Sequence, residues 1–201
     1  MKKIIFATTN KNKVREVNMM MEDFKVELLT MGEAGINVDI VEDGTTFEEN
    51  AIIKAKTIME MTGEIAIADD SGLEVDYLDG APGIYSARFL GEDTSYDVKN
   101  NYIIDKLKDV KGKDRSARFV CAMAVAFPNG EVLTCKGTIE GVIAYEQKGK
   151  NGFGYDPIVY VPEYEMTTGE MSPKLKNSIS HRGKALEQMK EILKTRLENE
   201  C

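Results

Sequence analysis

The sequence predicts an α/β fold, a mixed β-sheet flanked by helices. In the first 70 residues, short apolar segments alternate with amphipathic helix-length segments, which is typical of βα units with parallel strands. Residues 117–127 and 131–145 are both strand-like and are joined by Pro128-Asn129-Gly130, a strong hairpin signal. The hairpin adds antiparallel strands to a sheet that begins with βα units, so we expect parallel and antiparallel pairs in one sheet.

Hydrophobic periodicity locates the elements. The predicted strands are residues 4–7, 26–29, 65–68, 117–127, 131–145 and 157–161. The predicted helices begin after the polar turn 8–12, at Thr45 or Thr46, at Thr94 or Ser95, and near Ser180, the last running to about Leu197. Glu48 and Glu49 follow Thr45 and Thr46 by three residues, the spacing of a capping box. A strand, polar loop and helix in that order, as in residues 4–14, form a geometry that binds phosphate.

Length and charge exclude several classes of protein. A chain of 201 residues can bury a full core, and we expect a single domain over residues 1–201. The 26 Lys and Arg against 34 Asp and Glu give a net charge of −8, which argues against a main role on nucleic acid polymers or anionic membranes. The single His excludes zinc sites that need two or more histidines.

The cysteines and the N-terminus predict a cytoplasmic protein. Cys121, Cys135 and Cys201 are widely spaced, with no Cys-x-x-Cys pair, and are interpreted as free thiols in a reducing compartment. The apolar segment 4–7 is too short for a signal peptide. The longest apolar run, 119–127, is about half of a membrane span.

Two carboxylates stand at the predicted end of a buried strand, in Asp69-Asp70-Ser71-Gly72. Neighbouring strand residues point to opposite sides, so we expect one carboxylate to bind a hard cation and the other to hold a nearby loop or helix end. Glu42, in a turn before Gly44, is a candidate second carboxylate for Mg²⁺. The alternative is an Asx turn leading into Gly72.

Four cations are candidates for binding phosphate: Lys13, Lys54, Lys176 and Arg182. Most of them fall at helix starts or loop ends, where phosphate oxygens also find amide donors, while Lys54 is on the flank of the second predicted helix. Lys176 is predicted in the polar loop before the last helix, and Arg182 at the start of that helix. The alternative for each is a solvated surface charge.

Gly152-Phe153-Gly154-Tyr155-Asp156-Pro157 places two aromatic residues between glycines. An aromatic face can stack on a base, and Asp156 can accept from ring N–H groups. The alternative is a tight turn with buried aromatics. His181, the only His, stands beside Arg182 at a helix start, which favours an anionic or carbonyl-bearing ligand, although a surface or capping role is the alternative.

Together these segments resemble the inosine/xanthosine triphosphate pyrophosphatase family over nearly the whole chain. The matching segments are Ala7 to Lys13, Phe47 to Ala51 with Lys54 and Ala55, Ala68 to Leu73, Gly80 to Arg88, Gly152 to Pro157, and Ser180 to Gly183. The first loop of the family usually reads Thr-Gly-Asn, and here Thr9 replaces the glycine. Thr would be strained there if the loop needed a positive φ or a very close approach of phosphate. A Pro often seen shortly before the Gly-Phe-Gly segment is also missing.

The resemblance implies an elongated, ITPase-like fold with two lobes around a central nucleotide-binding cleft, and a homodimer. It implies Mg²⁺ held by Glu42 and Asp70, with Asp70 also activating water. The implied substrate-binding residues are Thr8, Thr9, Asn10, Lys11, Asn12, Lys13, Lys54, Ser71, Phe153, Gly154, Tyr155, Asp156, Lys176, His181 and Arg182.

The implied reaction is hydrolysis of non-standard purine nucleoside triphosphates (dITP, ITP, XTP) to the monophosphate and pyrophosphate. Such a reaction cleanses the nucleotide pool and prevents incorporation into DNA and RNA. His181 and Arg182 can donate to a 6-oxo group, whereas the amino group of adenine would face them with another donor. Two other functions remain possible at this point: a metal phosphatase that removes terminal phosphate, and a non-catalytic nucleotide sensor.

Overall fold

The computed structural model describes residues 2–198 and, within them, contains seven strands in one sheet and five α-helices. The strands are β1 (Lys2–Phe6), β2 (Val26–Thr30), β3 (Ile65–Val75), β4 (Ser116–Ala126), β5 (Val132–Ile143), β6 (Val159–Val161) and β7 (Met166–Thr167). The helices are α1 (Lys11–Met21), α2 (Phe47–Thr62), α3 (Tyr96–Lys106), α4 (Pro173–Ile179) and α5 (His181–Glu198).

The sheet is mixed, with strand order β2-β1-β3-β4-β5-β6-β7. Strand β1 pairs in parallel with β2 and β3, and β6 pairs antiparallel with β5 and β7. Helices α1 and α2 lie in the connections between the parallel strands, as crossover connections require. The predicted α/β fold with a mixed sheet is therefore confirmed.

The chain divides into two compact units. The first comprises the described parts of Met1–Asp70, Cys121–Gly137 and Arg182–Cys201, and the second comprises Ser71–Val120 and Thr138–His181. The prediction of a single domain over residues 1–201 stays a prediction.

In the first unit, helices cover both faces of the sheet. Ile4 and Phe6 of β1 belong to a buried cluster with apolar residues of α1 and α5, such as Val17 and Leu186. Alternate residues of the same strand, including Ile5, belong to a second buried cluster with the alanines and isoleucines of α2. Two buried faces explain why these strands read as continuous apolar runs.

In the second unit, one buried cluster contains apolar residues from the later halves of β3 and β5, from the beginning of β4 and from α3. Leu73 and Val75 of β3 pack there with Ile103 and Leu107. Arg115 lies buried beside this cluster and donates to the backbone carbonyls of Leu107, Val110, Ile143 and Ala144. Its cation is therefore part of the framework of this unit.

Two sequence predictions about elements are wrong. The strand predicted over 65–68 continues through Asp69 and Asp70 to Val75, because both carboxylates find cationic partners and Leu73 and Val75 are buried beyond them. The polar loop predicted around Lys176 contains the helix α4, with Ser172 as N-cap and Pro173 in its first turn. Ser followed by Pro is a helix-start signal that the sequence does contain.

Cys121 and Cys135 are free thiols, and Cys201 lies outside the described residues. Burial raises the pKa of the Cys121 thiol, which disfavours the reactive thiolate. Among residues 2–198, no helix combines the length and apolarity needed to cross a bilayer.

Candidate active site

The predicted site residues form two sets, one in each unit. The first unit holds Thr8, Thr9, Asn10, Lys11, Asn12, Lys13, Glu42, Lys54, Asp70 and Arg182. The second unit holds Ser71, Phe153, Gly154, Tyr155, Asp156, Lys176 and His181.

Strand alternation separates the two neighbouring carboxylates of β3. Ile65 and Ile67 face the cluster of α1 and α5, and Asp69 continues that side, where it meets Lys13 of α1 and Arg182 of α5. Asp70 is on the opposite side, where it meets Asn50 and Lys54 of α2. The parallel register with β1 ends at the pair Phe6 and Ile67, so both carboxylates lie just beyond β1.

Asp69 anchors two cations. Its Oδ2 lies 3.1 Å from Nζ of Lys13, and it accepts hydrogen bonds from Nη2 and Nε of Arg182 at 3.1 and 3.2 Å. Burial favours the neutral acid, but Lys13 and Arg182 outweigh it and hold the pKa of Asp69 well below its usual range. Asp69 is therefore an ionised, buried anchor.

Arg182 is fully buried and paired with a second carboxylate. Its Nη1 donates to Oε2 of Glu16 at 2.5 Å, so each of the three guanidinium nitrogens donates to a carboxylate. The alternative interpretation of Arg182 as a solvated surface charge is wrong. A guanidinium carries five N–H groups, so this anchoring is compatible with a further contact to a ligand.

Glu42 and Asp70 converge on one cation, Lys54. Nζ of Lys54 lies 2.9 Å from Oε2 of Glu42 and 3.5 Å from Oδ1 of Asp70. Burial would lower the pKa of Lys54, but the charges of Asp70, Asp69 and Glu42 raise it above its ordinary value. Burial raises the pKa of Asp70, an effect that Lys54 and Lys13 oppose.

The carboxylates that share Lys54 fit a magnesium ion. Mg²⁺ takes oxygen ligands and usually binds through one or two carboxylates together with substrate phosphates. Glu42 and Asp70 supply two such groups that face a common point. Among residues 2–198 there is no group of three or more His, Cys, Asp or Glu side chains able to hold a metal, so the remaining ligands would have to come from substrate and water.

The loop before α1 is shaped by its own side chains. Oδ1 of Asn10 accepts from the backbone N–H groups of Asn12 and Lys13 at 3.0 and 3.3 Å and caps the helix. The hydroxyl of Thr8 accepts from the N–H of Asn10 at 3.2 Å. Thr9 is exposed and does not have a positive φ, so the loop accommodates Thr, where the family usually has Gly, without backbone strain.

In the second unit, Asp156 is the centre of a buried hydrogen-bond network. Its Oδ2 accepts from the N–H of Phe153 at 2.7 Å and from Nζ of Lys176 at 2.6 Å. Its Oδ1 accepts from the hydroxyl of Thr168 at 2.8 Å. Oδ2 thus fixes the glycine-rich loop and Lys176, and Oδ1 ties Asp156 to Thr168.

The two aromatic residues of this loop differ in exposure. Tyr155 is buried, donates its hydroxyl to the carbonyl of Ser86 at 2.7 Å, and packs edge-on against Tyr96. Phe153 is half-buried, and Nζ of Lys176 lies 5.0 Å from its ring centroid. Phe153 is therefore the ring that can offer a face to a base.

His181 and Lys176 are both buried, which excludes the surface alternatives for these two residues. The imidazole of His181 stacks on Phe119 with ring centroids 4.8 Å apart. Lys176 is on α4, in its last turn, and pairs with Asp156. Ser71 follows Asp70 directly on β3 and is half-buried.

Replacing Gly152 by Ala should destabilise the second unit more than replacing Gly154. Both glycines have positive φ, which costs a side chain about 1–2 kcal/mol. A Cβ at residue 152 would overlap the carboxylate of Asp156, whereas at 154 it would make an ordinary contact with Tyr96. Lost hydrogen bonds of Asp156 should add about 1–3 kcal/mol to the cost of Gly152→Ala. Urea unfolding measures both losses, and equal losses would contradict the role given to Asp156.

Comparison with known proteins identifies the family. The model of the Ham1 family matches residues 4–192. This chain belongs to the Ham1 family. A dITP/XTP pyrophosphatase of Desulforamulus reducens is 50% identical over 191 residues, 95% of each chain. A dITP/XTP pyrophosphatase of Clostridium perfringens is 47% identical over 200 residues, 96% of this chain and 98% of the relative.

Solved structures of the Ham1 family have the same fold. The HAM1 protein of Coxiella burnetii is 42% identical, covers 97% of this chain and 100% of its own, and superposes with a TM-score of 0.88. The Ham1 protein of Staphylococcus aureus is 39% identical with the same coverage and a TM-score of 0.87. The family membership predicted from the motifs is confirmed.

Three residues that the sequence prediction did not assign take part in these networks. Glu16 holds Arg182, Asn50 holds Asp70, and Thr168 holds Asp156. Glu16 follows Lys13 by three residues and so shares its helix face, which is a signal the sequence contains. No comparable spacing signal links Thr168 to Asp156.

Proposed function

We propose that this chain is a magnesium-dependent pyrophosphatase of non-standard purine nucleoside triphosphates: dITP, ITP and XTP. The observation that carries the proposal is the convergence of Glu42 and Asp70 on one cation position, with Lys54 Nζ 2.9 and 3.5 Å from the two carboxylates. The names of the relatives at 47–50% identity support the same activity.

Local charge supports the requirement for a metal. The first set of site residues and its anchors contain four cations, Lys11, Lys13, Lys54 and Arg182, and the last three of these are paired with carboxylates. The carboxylates are Glu16, Glu42, Asp69 and Asp70. Four cations against four carboxylates offer a triphosphate no net positive charge here, and a divalent cation held by Glu42 and Asp70 would supply it.

The residues of the first unit carry the proposed chemistry. The carboxylate of Asp70 orients water and accepts its proton as the water oxygen attacks the α-phosphorus. The bond from the α-phosphorus to the bridging oxygen breaks, which yields the nucleoside monophosphate and pyrophosphate. Lys13 and Lys54, together with the loop Thr8 to Asn12, bind the phosphates. When bound, Mg²⁺ supplies positive charge that offsets the charge of the leaving pyrophosphate.

Most of the residues proposed to recognise the base belong to the second unit, and Arg182 belongs to the first. Phe153 stacks on the base, while Asp156 and Tyr155 hold the loop of Phe153 and Gly154 in place. His181 and Arg182 donate to the 6-oxo group, and Ser71 and Lys176 complete the contacts. The amino group of adenine would face these donors with another donor, which costs about 1–3 kcal/mol per buried unpaired group.

A screen of triphosphates tests the substrate class. With Mg²⁺, we expect pyrophosphate from dITP, ITP and XTP, with kcat/KM about 10- to 100-fold above that for dATP. Excess EDTA should abolish the release, and added Mg²⁺ should restore it. Release of orthophosphate with a nucleoside diphosphate product would favour a terminal phosphatase. Tight binding of the triphosphate without turnover would favour a nucleotide sensor. Comparable rates on dATP or dGTP would contradict a role in cleansing the nucleotide pool.

The proposal includes two further properties of the family, a homodimer and a cytoplasmic location. Sedimentation equilibrium tests the homodimer, since a monomer at micromolar concentration would contradict it. Fractionation of the source cells tests the location.

A further inference from the structure

Asn50 connects two parts of the first unit that each carry a proposed metal ligand. It lies in the first turn of α2 and is 1% exposed. Its Oδ1 accepts from the backbone N–H of Gly44 at 2.9 Å, and its Nδ2 donates to Oδ2 of Asp70 at 3.1 Å. Gly44 is two residues beyond Glu42, so the amide joins the loop of Glu42 to the carboxylate of Asp70.

The two hydrogen bonds fix the orientation of the amide. A backbone N–H can only donate, so the group facing Gly44 must be an acceptor. An ionised carboxylate can only accept, so the group facing Asp70 must be a donor. Among side chains of this length only an amide satisfies both partners, since Asp lacks the donor and Leu lacks both groups.

The backbone of Gly44 is in close contact with the side-chain amide of Asn50. A Cβ at residue 44 would lie 2.6 Å from Oδ1 of Asn50 and 3.0 Å from its backbone nitrogen. It would also lie 2.8 Å from Cβ of Glu49. Glycine is needed for this close approach, since any other residue would push the loop away from α2.

We propose that Asn50 is a positioning residue for the metal site, and this inference rests on the proposed function. The amide holds Asp70 in one orientation and ties it to the backbone that presents Glu42. Lys54 links the same two carboxylates, but an ammonium is a point charge that imposes little direction, whereas the amide bonds are directional. Partners that orient metal ligands in this way are commonly worth 10- to 100-fold in metal affinity or activity.

Binding of Mn²⁺ to Asn50→Ala tests the inference without turnover. Electron paramagnetic resonance of free Mn²⁺ gives the Kd for the metal alone and with an α,β-methylene analogue of ITP that cannot be cleaved. We expect the Kd to rise about 10-fold in both conditions. We also expect half-maximal activity to need about 10-fold more Mg²⁺, while the KM for dITP at saturating Mg²⁺ stays within about 2-fold.

Thr46→Ala is the matched control. The hydroxyl of Thr46 accepts from the N–H of Glu49 at 3.1 Å and caps the same helix. Its loss weakens the start of α2 without removing a bond to Asp70. We expect a lower melting temperature and an Mn²⁺ Kd within about 2-fold of the parent. A 10-fold rise in the Mn²⁺ Kd of Thr46→Ala as well would show that the effect of Asn50→Ala is merely structural, and it would overturn the inference.

Gly44→Ala disturbs the contact between Gly44 and Asn50 from the side of the loop, and it replaces Asn50→Ala in the test if that variant does not fold. It should also raise the Mn²⁺ Kd, and the double variant should lose no more affinity than the larger single loss, because both changes break one connection. A parent-like Kd in either folded variant, or full additivity, would overturn the inference. So would failure of an active parent to bind Mn²⁺. A parent that releases no pyrophosphate from any triphosphate would instead refute the proposed function.

Discussion

Replacing Asp70 by Asn is expected to lower kcat for pyrophosphate release from dITP about 10²- to 10⁴-fold, the range for loss of a general base. Asn keeps the shape of the side chain, and its carbonyl oxygen can still accept from Nδ2 of Asn50. It cannot accept a proton from water, and it removes one of the two negative charges that converge on Lys54. Steady-state release of pyrophosphate at several Mg²⁺ concentrations measures the loss.

Asp43→Asn is the matched control for this prediction. Asp43 is adjacent to Glu42 in the same loop, and it is exposed. The same change of charge at Asp43 should leave kcat within about 2-fold of the parent, because an exposed charge in water interacts weakly. Full turnover of dITP by Asp70→Asn would refute the role of Asp70 as the base. Loss of turnover with dITP binding retained would exclude the nucleotide sensor.

Strand periodicity was sufficient to predict that Asp69 and Asp70 meet different partners. In a strand with two buried faces, consecutive residues point to opposite sides, and the helices on those sides differ. Asp69 consequently meets Lys13 and Arg182, and Asp70 meets Asn50 and Lys54. For Glu42 the local sequence gives a turn and a candidate second carboxylate, and the resemblance to the family pairs it with Asp70.

The sequence did not predict where β3 ends, because the reason lies far along the chain. Two adjacent Asp residues normally favour a turn. Here the charge of Asp69 is neutralised by Lys13, 56 residues from it, and Arg182, 113 residues from it, while Asp70 pairs with Lys54. Neither partner is visible to a local pattern. The strand can therefore continue into the apolar residues Leu73 and Val75.

The burial of the cations could not be predicted from the local sequence either. A lone Lys or Arg in a sequence is more often exposed than buried, and Lys54, Lys176 and Arg182 are all buried here. Their carboxylate partners lie on other elements, so burial could not be inferred from spacing. For Asp156 the sequence suggested direct contact with a base, whereas its three hydrogen bonds to Phe153, Thr168 and Lys176 favour a positioning role.

Removing the carboxylate of Asp69 should have the largest effect on stability. We expect Asp69→Ala to lower the free energy of unfolding by about 3–5 kcal/mol, the usual cost of breaking a buried ion pair from one side. Lys13 and Arg182 would then face each other without the carboxylate between them, while Arg182 would keep its ion pair with Glu16. Urea unfolding at neutral pH measures the loss, and Asp69→Asn, which keeps the shape of the side chain, should lose less.

An exposed ion pair on α5 provides the control. Glu187 lies 3.0 Å from Lys190, and its side chain is 71% exposed, so Glu187→Ala should change stability by less than about 0.5 kcal/mol.

The pKa of Asp69 is lowered from 3.8, so the stabilisation that its carboxylate provides is present at neutral pH and is lost as the pH falls below that value. The difference in stability between parent and Asp69→Ala should therefore shrink in acid. A loss below 1 kcal/mol at neutral pH, or a difference that grows in acid, would show that Asp69 does not anchor Lys13 and Arg182 through its charge.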